Sequence, residues 1–211
     1  MTRQVTLTGA DLSIVLPGSW AVIPLTTVGA GEQRVSALIK KQLGRNDRLA
    51  GVRRELRESI NASVREAIDL GAVGLAISLE ILPGIPFPAS LLILPLDWPG
   101  TAGDADASEE HRLLAAYPGS VLVEEGAARP IVRRHEMVTT TYDEESSQDL
   151  KINYWLPVGD GSSIVRVYVK APMAHTPPLW LELFDAIIGS LGWLNDAPAG
   201  TTDDIEEAVR G

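Results

Sequence analysis

The sequence predicts an α+β fold, an antiparallel sheet with helices packed against it in an α/β/α sandwich. Three observations carry the prediction. Strand-like alternation clusters between residues 120 and 170, with turn-forming segments between the runs. Two helical stripes stand together between residues 32 and 70, and one more lies near the C-terminus. Grouped helices and consecutive strands indicate α+β, not alternating βαβ units.

The opening reads as a hairpin: Leu12, Ile14 and Leu16 alternate with other residues, Pro17-Gly18 supplies turn chemistry, and Trp20 to Leu25 resume as a strand. A first helix is expected from Glu32 to Leu43, stopped by Gly44. Asn46 or Asp47 can cap a second, which runs to about Leu70 and ends at Gly71. Its stripe is Leu49, Val52, Leu56, Ile60, Val64 and Ile68. Glu55, Glu58, Arg65 and Asp69 fall opposite, while Arg53 and Arg57 sit at the stripe edge, where their stems can cover core.

The next strand sorts by size: Val73, Leu75, Ile77, Leu79 and Ile81 on one face, Ala72, Gly74, Ala76 and Ser78 on the other. Ala89 to Leu96 is apolar on both faces, as an interior strand should be. Glu80 and four prolines (Pro83, Pro86, Pro88, Pro95) exclude a membrane-spanning helix over 72–96. Asp106 or Ser108 can cap a short helix through Tyr117. Strands follow at Ser120–Glu124, Arg129–Tyr142, Leu150–Val158 and Ile164–Lys170. The closing helix, capped by Thr176 with Pro177 in its first turn, buries Trp180, Leu183, Phe184, Ile187, Ile188 and Leu191 against that sheet. Leu179, Leu181 and Trp193 fall off this stripe.

The 211 residues suit one domain, read as 1–195, with an acidic tail at 196–211 expected to be disordered. The net charge is −10, unevenly spread: ten Lys/Arg against seven Asp/Glu in residues 1–70, eight against twenty-one in 71–211. An acidic body disfavours nucleic acid. The basic stretch Lys40 to Arg57 reads as a solvated helix face or as a docking site for an acidic partner. With no Cys, disulfides, thiolate metal sites and thiol nucleophiles are excluded. The N-terminus has no basic start followed by an apolar run, so a cytoplasmic protein is expected.

Catalytic motifs do not emerge. Gly29-Ala30-Gly31 lacks the third glycine of a dinucleotide loop and reads as a connector; "GDGSS" from Gly159 reads as a hairpin turn. His111, His135 and His175 are scattered, and Asp143-Glu144-Glu145 reads as a solvated turn. No cofactor is implied. Arg133, His135, Trp155 and Tyr168 are placed on the outward side of one sheet as an aromatic and cationic cluster, with Arg166 beside them.

Three segments, "LPGSW", "INYWLPVGDGSSIVRVYVKAPM" and "LFDAIIGSLGW", resemble the PsbP-like superfamily, whose bacterial members include LpqN-like and DcrB-like proteins. In the closing helix the matching run is Phe184, Ile187 or Ile188, and Ser190. The resemblance spans about residues 10–194 and implies an α/β/α sandwich that binds and does not catalyse. Its cytoplasmic relatives include chaperones for secreted effectors and a Ran-binding nuclear-import factor. LpqN-like proteins are typically exported lipoproteins, and this chain has no Cys to carry the lipid.

The expected function is therefore a non-enzymatic cytoplasmic adaptor or chaperone-like protein, monomeric or homodimeric, possessing another protein as partner. Its expected contact residues are Arg133, Trp155, Arg166 and Tyr168 on the sheet and Arg53, Arg54 and Arg57 on the long helix. The alternatives are a small-molecule or lipid pocket beneath the closing helix, and a hydrolase with a spatially assembled site.

Overall fold

Alternating apolar strands make the centre of the molecule a sheet. The computed structural model describes residues 2–7, 12–44, 47–99, 107–124, 129–142, 145–158, 163–174 and 176–193. The strands of its main sheet are β3 (Ser19–Ile23), β4 (Gly74–Leu82), β5 (Ile85–Pro86), β6 (Ser90–Asp97), β7 (Val121–Leu122), β8 (Val132–Tyr142), β9 (Glu145–Pro157) and β10 (Ser163–Ala171). They order as β3-β4-β6-β10-β9-β8-β7, with β5 folded back on β4, and every pairing is antiparallel. A second, smaller sheet contains β1 (Thr2–Leu7), β2 (Leu12–Pro17) and β11 (Gly192–Trp193), in the order β1-β2-β11.

Four α-helices are described: α1 (Val28–Leu43), α2 (Ala50–Asp69), α3 (Glu109–Ala116) and α4 (Pro177–Gly189). Strand periodicity decides which face each covers. Ala76, Leu91, Ile93, Ile152, Tyr154, Val165, Val167 and Val169 point to one face, where they pack with β2 and with Phe184, Ile187 and Ile188 of α4. Leu75, Ala21 and Ile23 point to the other and pack with Val35, Leu38 and Ile39 of α1 and Val64 of α2. On that same face α3 places Leu113 against Val132, Trp155 and Ile164. The result is three layers, α/β/α, with the small sheet beside α4 in one outer layer. The α+β expectation is met, and α4 covers the sheet as its stripe requires.

The opening is not a hairpin. β2 and β3 belong to different sheets: β2 pairs with β1 and β11, β3 with β4. Pro17-Gly18 is therefore a corner between layers. Gly18 has φ +78, and a Cβ there would lie 2.1 Å from the Glu80 carbonyl oxygen.

The glycine pair at 29–31 is not a connector either. The Thr27 side chain accepts a hydrogen bond from the Ala30 N–H (3.2 Å), so α1 starts at Val28, four residues before the expected boundary. Gly31 then faces α2: a Cβ would meet Val64 Cγ1 at 2.5 Å. Its missing side chain lets the two helices approach closely at that point. They form an antiparallel pair, tied at one end by Glu32–Arg65 and at the other by Arg53 Nη1 donating to the Gly44 carbonyl (3.2 Å).

Smaller differences follow local chemistry. The second helix opens with a 3-10 turn at Asp47–Leu49. β7 is shorter than expected, and β9 starts earlier, at Glu145. Ser108 caps α3 by accepting from His111 N–H, whereas Thr176 makes no side-chain cap to α4. Leu181 is buried and widens the α4 stripe, while Leu179 is exposed. No helix among the described residues is long and apolar enough to cross a membrane. Residues 143–144, 159–162, 175 and the acidic tail lie outside the described residues.

Candidate interaction surface

The expected sheet cluster divides. Arg133 and His135 lie on the α4 face of β8, because they alternate with Val132, which faces α3. Arg133 forms an ion pair with Asp185 of α4, and the Tyr154 hydroxyl donates to the other oxygen of that carboxylate (2.8 Å). Arg133 is thus a structural tie between β8 and α4, not a contact residue. Charge-assisted bonds of this kind are among the stronger ones in proteins.

Trp155 does lie on the opposite face, but it is 3% exposed. The Tyr117 ring stacks on it at 4.1 Å between centroids, and the Arg134 guanidinium sits 5.6 Å from its centre. α3 covers it, so it is core and not interface.

Arg166 and Tyr168 keep the expected face and stay half-buried, in the strip of sheet between α2 and α3. Both Nε and Nη2 of Arg166 donate to Asn153 Oδ1, at 2.9 and 2.6 Å. The guanidinium lies 5.9 Å from the Tyr168 ring centre. Tyr168 titrates above the ordinary tyrosine value, chiefly through burial, with Lys170 and Arg166 pulling it down and Glu136 and Asp149 pushing it up. Those charges surround it on this strip.

The long helix changes the picture most. Its stripe is buried or half-buried from Ile60 onward, through Val64, Ala67 and Ile68. Toward the N-terminus the same stripe emerges into solvent: Val52 is 46% exposed and Leu56 41%. The helical repeat places Arg53 and Arg57 on this stretch of the same face, with Arg54 further round. Arg54 and Arg57 are exposed and Arg53 is half-buried. Val52 and Leu56, expected in the core, are therefore surface residues interleaved with arginines. Lys40 and Lys41, near the C-terminus of the partner helix, are exposed as well.

The alternatives meet specific geometry. Beneath α4, Phe184, Ile187, Ile188 and Leu191 are core residues, each at most 4% exposed. Among the described residues no three His, Asp or Glu side chains gather as a metal site. His111 and His135 are exposed on separate elements.

Burial makes one pH effect predictable. Tyr154 is wholly buried, and its pKa is raised strongly, first by burial and then by the Asp185 carboxylate. The folded state holds the neutral phenol after the unfolded chain has begun to ionise at about pH 10. The stabilisation is complete below that pH and is lost as pH rises above it. Urea midpoints should fall between pH 9 and 11, and Tyr154→Phe should remove up to about 1.4 kcal/mol per pH unit of that slope. An unchanged slope in the variant would mean that Tyr154 ionises freely in the folded state.

No family model matches the chain, and no curated protein matches it. Solved structures similar to it include the Ran-binding protein Mog1p of Saccharomyces cerevisiae, with TM-score 0.43, and a point mutant of the protein Mog1, with TM-score 0.44. Each is 10% identical, and each match covers 92% of this chain and 96% of the other. Likeness at this level carries no inference about what this chain binds.

Proposed function

We propose that this chain is a non-enzymatic protein-binding adaptor of the PsbP-like kind, acting in the cytoplasm, and that its partner docks on the N-terminal half of α2. One observation supports this above the others. An apolar stripe that is buried along half of the helix continues, in register, as exposed Val52 and Leu56 among Arg53, Arg54 and Arg57. Arginine is enriched at protein interfaces because its planar fork and apolar stem serve charge recognition and packing together. The charge is local, set in a chain of net −10, so it selects a partner segment that is acidic and carries apolar residues.

The test is a photo-crosslinking amino acid placed at position 56 in the native host, with a second chain carrying it at exposed position 139 of β8. A single stoichiometric adduct at 56, absent at 139 and weakened by added salt, supports docking on α2. Equal yields at both positions, or none at 56, would remove the helix from the proposal.

A further inference from the structure

A cleft opens on the α2 face of the sheet, at the end of β10, apart from the exposed half of α2. Its volume is about 310 Å³, and its walls come from four segments: Ile60 and Ser63 of α2, Leu75 and Ile77 of β4, Pro88 to Ser90, and Lys170 with Pro172. Ile60, Leu75, Ile77, Pro88, Ala89 and Pro172 make the lining largely apolar. Ser63 and Ser90 add polar groups to the wall, and Ser78 borders it. The size falls at the lower end of the range for small-molecule sites, which are mostly apolar with a few placed polar groups.

The charge at the rim is built. Lys170 Nζ lies 3.5 Å from Asp149, and its side chain remains 38% exposed. Asp149 is 0% exposed and also accepts from the hydroxyls of Thr140 (3.0 Å) and Ser147 (3.5 Å). The carboxylate is therefore out of a ligand's reach, while the ammonium it anchors is not. Across the β10–β9 pair Lys170 stands opposite Lys151, and Glu136 of β8 stands opposite Lys151. Glu136 offsets Lys151, and the ammonium of Lys170, which carries three donors, keeps some for an anion beyond its contact with Asp149.

We propose that this cleft binds a small amphipathic carboxylate, its apolar body between α2 and β4 and its head on the Lys170 ammonium. A cationic ligand meets Lys170 and is disfavoured; a fully polar anion gains nothing from the six apolar wall residues.

The experiment titrates the full chain with octanoate, 1-octanol and acetate by calorimetry and by amide chemical shifts. Octanoate is expected to bind at least about tenfold tighter than octanol, the worth of one good charge contact at about 1.4 kcal/mol. Acetate should show no saturable binding, and the shifted amides should include Ile77, Ser90 and Lys170. Lys170→Met should bring octanoate to the octanol level. Since that change leaves Asp149 buried without its lysine, a second variant guards against loss of fold. Ser63→Trp, at an exposed position on the rim, should abolish binding of both ligands. Equal affinity for octanoate and octanol in the unaltered chain would overturn the proposal, as would no octanoate binding, or binding that survives Ser63→Trp.

Discussion

Truncating Trp155 to alanine should cost about 3–5 kcal/mol of folding stability, the range for removing a large aromatic from a packed core. The ring lies between the sheet and α3, stacked by Tyr117 and grouped with Leu113, Val132 and Ile164. Losing it empties the seam that holds α3 on the sheet. Arg166→Ala, next to it across the β9–β10 pair, removes two hydrogen bonds from a half-buried site and should cost far less, on the order of 1–2 kcal/mol. Urea denaturation of the two variants separates the readings. A Trp155→Ala protein within about 1 kcal/mol of the unaltered chain would contradict a core role for the ring.

Gly18→Ala should be nearly as costly, at about 2–5 kcal/mol, from left-handed strain and overpacking together. A Cβ at position 18 would lie 2.1 Å from the Glu80 carbonyl oxygen and 2.7 Å from that of Ile81. Both atoms belong to the backbone of β4, which at this point is paired with β3 on one side and β5 on the other, so relieving the clash means displacing paired backbone. Gly84→Ala is the control. Its φ is +79, almost the same as at Gly18, but nothing lies within 4 Å of the added carbon. It should show the conformational part alone, about 1–2 kcal/mol. Equal costs at the two positions would mean that the corner between the sheets is looser than the structure has it.

Both substitutions fall where the sequence is informative about faces and silent about partners. Alternation at Ile152, Tyr154 and Leu156, or at Val165, Val167 and Val169, reports which residues share a side of a strand, and the sheet uses those sides as expected. It does not say which strand lies next door. β2 and β3 look like a hairpin because Pro17-Gly18 is turn chemistry, yet the neighbours of β2 are β1 and the distant β11. The α2 stripe is likewise legible over its whole length, but periodicity does not report how far the covering elements reach. Val52 and Leu56 are apolar and in phase, and they are uncovered.

The same limit decides the contact residues. Alternation places Trp155, Arg166 and Tyr168 on one face, and the β9–β10 register pairs Arg166 with Trp155 on it. That α3 would cover Trp155 and leave Tyr168 half-open depends on where an eight-residue helix lands. Arg133 carries a weaker signal. β8 alternates poorly in sequence, and only its register opposite Tyr154 shows that Arg133 faces α4. The cleft at Lys170 has no signature, because its walls come from four segments spread between residues 60 and 172.

The central claim is that the uncovered half of α2 is the recognition surface and the aromatic sheet cluster is not. It is tested most directly by reversing charge on the helix at two exposed positions, Arg54→Glu and Arg57→Glu, and comparing capture of the crosslinked partner with that by Arg166→Ala, each variant being shown to be folded at the assay temperature. Capture by the α2 variant should be at least tenfold weaker, with little change for Arg166→Ala. Full capture by the charge-reversed helix, or loss confined to Arg166→Ala, would contradict it.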